Sequence, residues 1–187
     1  MSGTATNVTA GKPRTSGAVF TAPTGSTLPT DAVTALATAY KDLGYISEDG
    51  VSKNVSVTTT PIKEWGGAIV LITQNEKTAT FKFKMIEYLN PEVQKFVNGD
   101  ENVTGNLTTG LSVTIDDAET PERVLVFWQI MRGGIPHRMV VPRCRITEMS
   151  EVNFKSNEAV GYDVTVTAIK DSTTGKYFSE YMGGSST

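Results

Sequence analysis

The stretch TATFKFKMIEY, residues 78–88, decides how this chain is read. On an extended backbone successive side chains point to opposite faces. Phe81, Phe83 and Met85 therefore share one face, and Thr80, Lys82 and Lys84 share the other. One apolar and one polar face mark a half-buried strand of an antiparallel sheet. VGYDVTVTAIK, residues 160–170, repeats the pattern, with Val160, Tyr162, Val164 and Val166 opposed to Gly161, Asp163, Thr165 and Thr167. Working outward, strand-like runs appear at 51–59, 68–73, 111–116, 123–132, 135–149 and 176–182. Turn signals separate them at Gln74–Glu76, Gly133-Gly134 and Asp171–Gly175. VLVFWQIM, residues 124–131, is apolar on both faces. Such a strand is either central and covered on both sides, or has one face against another subunit.

Two helices are expected. LPTDAVTALATAYKDLG, residues 28–44, has Thr30 as an N-cap, Val33, Leu36, Ala37, Tyr40 and Leu43 at helical spacing, and Gly44 to end it. NPEVQKFVNG, residues 90–99, has Asn90 as cap, Pro91 at the first position and Gly99 at the end. Eight short strands with one or two short helices predict a mainly β fold, an antiparallel β-sandwich or split barrel.

The first 30 residues differ in composition. Eleven are Ser or Thr, and Lys12 and Arg14 give the segment a charge of +2 with no acid, against −5 for the remainder. Its sizeable apolar residues, Val8, Val19, Phe20 and Leu28, are too few to offset an ordering cost of about 1–2 kcal/mol per residue. The expected organisation is an extended N-terminal arm, residues 1–30, on a β-sandwich domain, residues 31–187. The arm is expected to dock on a neighbouring subunit through Val19, Phe20 and Leu28, with charge guiding register.

Signs of chemistry are sparse. With one Cys and one His, a typical zinc site is not expected, and Cys144 reads as a core residue. His137 lies seven residues before it, an odd spacing that sends the two side chains to opposite faces of a strand. No glycine loop has the spacing and lysine that cradle phosphate. Asp116, Asp117 and Glu119 read as a solvated turn. No apolar run approaches the roughly 20 residues of a membrane span, and the first residues lack the apolar stretch of a secretion signal. The chain reads as a structural or interaction protein, not an enzyme, with no cofactor, no metal and no membrane anchor.

Five pieces occur in a telling order: GAVFTAPTGSTLPTDAVTAL, DLGYISEDGVS, IKEWGGAIV, FKFKMIEYLNPEVQKFVNG and GGIPHRMVVPRCRITEMSEVNFKSNEAVGYDVTVTA. Their succession over roughly residues 17–181 resembles the major tail tube proteins of long, non-contractile-tailed bacteriophages. That resemblance implies a virion protein of the tail tube, assembled in the host cytoplasm. Six subunits would form a ring, and stacked rings a hollow tube through which double-stranded phage DNA is ejected without specific binding. It also implies a tape measure protein and a tail terminator as partners. The alternative is a capsid decoration or host-adhesion module of the same sandwich class.

A channel that lets DNA slide should not bind phosphate, and an acidic subunit suits it: six copies at −3 each give −18 per ring. The channel lining is expected on polar faces carrying Asp163, Thr165 and Thr167, or Ser112, Thr114 and Asp116. The Lys82 and Lys84 face is expected elsewhere. The two-faced strand 124–131 is expected to be covered between chains.

Overall fold

The computed structural model describes residues 4–14 and 17–184. The strands run β1 Gly11–Pro13, β2 Val19–Pro23, β3 Lys41–Asp42, β4 Ile46–Lys63 and β5 Ile69–Met85. Helix α1, Pro91–Asn98, follows, then β6 Val103–Asn106, β7 Gly110–Val113, β8 Arg123–Met131, β9 Ile135–Met149, β10 Tyr162–Ala168 and β11 Ser179–Met182. Nine strands form one antiparallel sheet in the order β3-β2-β8-β9-β10-β5-β4, with β1 also on β8 and β11 also on β9. β6 and β7 form a separate hairpin. The mainly β, antiparallel architecture agrees with the alternation read from the sequence.

β3 lies at one end of this sheet and β4 at the other, yet only three residues separate them. Leu43 N–H donates to Val19 O at 3.0 Å on the β2 side, and Ile86 N–H donates to Tyr45 O at 3.0 Å on the β5 side. The sheet therefore curls until its two ends meet at residues 43–46, which makes it a split barrel. Gly44 turns the chain there with φ +72°. A Cβ on Gly44 would overlap the Glu87 carboxylate, whose Oε1 accepts from Tyr45 N–H at 2.9 Å. Asp42 Oδ1 accepts from Gly44 N–H at 2.9 Å. Glu87 Oε2 accepts from the Asn90 amide at 2.9 Å, and Asn90 Oδ1 caps α1 by accepting from Glu92 N–H. The corner and the helix start share one carboxylate.

The main core lies inside the curl. Phe81, Phe83, Phe127, Val141, Val164 and Val166 are buried there, with Phe81 stacked on Phe127 at 5.0 Å. Val93, Phe96 and Val97 of α1 pack onto it. Buried Gln94 is satisfied on both sides, donating to Tyr88 O and accepting from Tyr162 Oη. A second cluster sits on the other face of β8 and β9: Val124, Val126 and Val140, with Ala22 and Tyr40, and Leu28 and Leu36 packed against it. Residues 124–128 of this strand are thus covered on both faces by their own chain, and the expectation that a neighbour covers the strand is corrected there, while Gln129, Ile130 and Met131 stay partly exposed.

The helix expected at 28–44 is absent; residues 31–43 form bends and turns, with β3 at their end. The reason is tertiary. Arg138 donates to Asp31 O at 2.8 Å and to Thr34 O at 2.6 Å, and Trp128 Nε1 donates to Ala32 O at 2.8 Å. Three carbonyls that helical N–H groups would need are taken by side chains. Asp31 Oδ1 closes the local turn by accepting from Val33 and Thr34 N–H. Two further expectations change. The runs 68–73 and 78–88 are one strand, the Gln74–Glu76 signal being a bulge within it. Part of the arm belongs to the body, because β2 pairs with β8 over five residues.

Gly44→Ala combines a positive φ with a collision at Glu87, so it should lower unfolding free energy by about 2–4 kcal/mol, measured by urea titration. Asp31 gives a pH signature. Hydrogen bonds from the Thr34 hydroxyl and from the Thr34 and Val33 N–H groups, aided by Arg138, lower its pKa from 3.8 to about 2. A carboxyl with a depressed native pKa contributes stability above its ordinary value and loses it as pH falls through the native one. The thermal midpoint should therefore drop more steeply between pH 4 and 2 in the native chain than in Asp31→Asn.

Candidate assembly and channel surfaces

β4 and β5 begin as part of the barrel wall and then leave it. Phe83, Phe81 and Ala79 of β5 are buried on the core face opposite Val51, Lys53 and Val55. Beyond them the same face continues with Val57 and with Pro61 opposite Ile72, where the body no longer covers it. From Val55 to Lys63 the ribbon extends about 30 Å at roughly 3.4 Å per residue. At its tip Glu64 N–H donates to Ala68 O, Gly67 N–H donates to Glu64 O, and Trp65 is fully exposed. Ile69, Val70, Leu71 and Ile72 are each more than half exposed.

This arrangement is costly for an isolated chain. A two-stranded ribbon is marginal in water, and contiguous exposed apolar surface marks an interaction site. β4 is also the last strand of the sheet, so its outer edge is unpaired among the described residues. An open edge of this length is a template for pairing with another chain. A second apolar surface lies near the start of α1. Leu89, Leu107 and Phe154 are exposed around a concavity of about 660 Å³ shared with Tyr88 and Val160.

Over β10, β5 and β4 the outer face of the barrel wall is polar. Thr165 pairs with Lys82 and Thr167 with Thr80, while Asp163 pairs with Lys84. Ser52 and Asn54 continue the same face on β4. On β9, Thr147 Oγ1 lies 2.9 Å from Thr167 Oγ1. The Asp163–Thr165–Thr167 face and the Lys82–Lys84 face, separated in the sequence reading, are thus one face. Its cations are largely answered by carboxylates: Lys82 lies 3.3 Å from Asp163, Arg145 lies 2.8 Å from Glu119, and Arg143 lies 2.7 Å from Glu122. These pairs are partly exposed, so each contributes little stability, but together they keep the face near neutral.

The other residues singled out in the sequence lie apart. Ser112 is on the β6–β7 hairpin and Thr114 and Asp116 follow it, with Asp116 Oδ1 accepting from Asn102 and from Ala118 N–H. The structure does not join them to the β10 face. Val19 is fully buried in the main core, Phe20 meets Trp128 edge-on at 6.3 Å, and Leu28 packs on the second cluster. Val19 has no surface left for a neighbour, which corrects its assignment as an arm contact. The Cys144 thiol donates to Arg123 O, and burial pushes its pKa well above the ordinary value. His137 is buried beside Gln129, and burial lowers its pKa. Among the described residues no group of His, Cys, Asp or Glu is placed to hold a metal.

The ribbon was the feature sequence reasoning missed. Its signal was Val51, Val55 and Val57 on one face of a polar run that leads into the apolar run 68–72. No curated protein matches the chain. The sequence profile described as phage tail tube protein matches residues 5–182, almost the full length. A polar-faced sheet with an uncovered apolar ribbon is a subunit shaped for assembly, and the chain belongs to the phage tail tube protein family.

Proposed function

We propose that this chain is the major tail tube subunit, that six copies close into a ring, and that stacked rings form the channel through which phage DNA is ejected. A structural role in the virion tail and self-assembly into a tube follow from the family. The ring of six, assembly in the host cytoplasm, and contacts with a tape measure protein and a tail terminator are the finer part of the proposal. So is the absence of catalysis.

The single observation that carries this reading is the β4–β5 ribbon, whose core face continues past the body with nothing over it. Covering it needs another chain. The ribbon and the Leu89–Leu107–Phe154 concavity are different surfaces, and contacts between unlike surfaces propagate as rings or filaments. The outer polar face supports a channel-lining role. It offers hydroxyls from Thr165, Thr167, Thr147 and Ser52 and the amide of Asn54, and its cations are mostly paired. A near-neutral hydroxyl surface gives DNA phosphates little to hold, because affinity for phosphate comes from unpaired Lys and Arg. On this proposal Asp163, Thr165 and Thr167 face the lumen, whereas Ser112, Thr114 and Asp116 do not share that face.

Sedimentation velocity and negative-stain microscopy of the purified chain test the reading; hollow rods or rings are expected, and monomer at every concentration would overturn it. Val57→Asp with Ile72→Asp should abolish the rods while changing unfolding free energy by less than about 0.5 kcal/mol, because both side chains are exposed in the free chain. Phe81→Ala, on the same face but inside the body, should instead cost about 3–5 kcal/mol of stability.

A further inference from the structure

Trp128 carries two guanidinium groups. The Cζ of Arg138 lies 3.8 Å from its ring centroid, and the Cζ of Arg14 also lies 3.8 Å from it. Two cations this close to one centroid can only be on opposite faces of the ring. Three sides of this socket are built by the body. Arg138 is fully buried and bonded to the Asp31 and Thr34 carbonyls, Trp128 Nε1 is bonded to Ala32 O, and Phe20 meets the ring edge. Arg14 alone comes from the segment ahead of β2.

That segment is lightly held. β1 pairs with β8 over three residues, one of them Pro13, which has no N–H to donate. The β1 side chains are exposed, as is Val8. Arg132 N–H donates to Ala10 O and Thr9 Oγ1, both at 3.1 Å. Just ahead of β2, Gly17 N–H donates to Arg14 O at 3.2 Å, with Gly17 at φ +110°. Gly17 sits hard against the Asp42 carboxylate. Burial raises the pKa of Asp42, with Glu87 adding to it.

We propose that this segment is an exchangeable strap: in the assembled tube, Arg14 of one copy occupies the Trp128–Arg138 socket of a second copy, and residues 11–13 pair with that copy's β8 edge. The inference rests on the assembly reading above. Exchange keeps the contacts that residues 10–14 make with β8, Trp128 and Arg138 and changes only which chain makes them, at the cost of the Arg14–Gly17 hydrogen bond. Neighbouring sockets in an assembly are present at high effective concentration. Each strap then ties two subunits together.

Two single-cysteine variants test this, Ala10→Cys and Arg132→Cys. The positions lie one step beyond the Gly11–Met131 pair, where antiparallel Cα atoms are about 4.5–5.5 Å apart and suit a disulfide. Buried Cys144 stays silent. Tubes grown from an equal mixture of the two variants, mildly oxidised, should give a covalent heterodimer on a non-reducing denaturing gel; the dilute, unassembled mixture should not. Mixed tubes without heterodimer would overturn the exchange, provided the double variant closes its disulfide within one chain and runs as a monomer. Such a result would leave the assembly reading intact. Failure of every variant and of the native chain to form tubes would remove that reading, and the exchange with it.

Discussion

Leu43 bonds to Val19 at one end of the sheet, and three residues later Ile46 pairs with Met85 at the other. This short passage forces the sheet to curl, because about 10 Å of chain cannot join the two ends of a flat seven-strand path spaced about 4.8 Å per strand. The curl creates the interior that Phe81, Phe83, Phe127 and Val164 fill. It also accounts for the glycine at position 44 and for the carboxylates at Asp42 and Glu87. One allows the left-handed turn; the others satisfy the N–H groups of Gly44 and Tyr45 that the corner takes out of the ladder.

The same corner aims the ribbon. β4 starts at the closure, a bulge between Ile46 and Val51 resets its register against β5, and from Val51 the period of two carries the core face outward along β4. Inside the body the face is a core; past Val55 it is exposed and carries Val57, Pro61 and Ile72 among Lys77, Thr59 and Gln74. The polar side of the two strands continues as well, from Lys82 and Thr80 to Ser52, Asn54 and beyond. One sheet thus presents a sticky continuation of its core on one side and a hydroxyl-rich, charge-paired surface on the other. An assembly that covers the first and leaves the second free fits a tube wall.

Much of this was legible from the sequence. Alternation at 78–85 and 160–167 gave two strands and their buried faces, since a period of two survives any tertiary arrangement. The Asn90-Pro91 start and Gly99 end gave α1, because capping is local. The segment 28–44 misled because its spacing is helical while its carbonyls are claimed by Arg138 and Trp128, about 100 residues away in sequence. No local pattern carries that information. Register was equally hidden: that Thr165 pairs with Lys82 depends on which strands neighbour each other, so two halves of one face looked like two faces. Val19, placed among arm contacts on composition, is a core residue because β8 supplies the pairing that the arm could not supply for itself.

A three-dimensional reconstruction of the assembled tube tests the account most directly, because it shows both sides of the sheet at once. The account predicts Asp163, Thr165 and Thr167 at the channel surface, with Val57, Pro61 and Ile72 buried against a second copy. A tube with the Thr165 face turned outward, or with the ribbon's apolar face left in solvent, would contradict it.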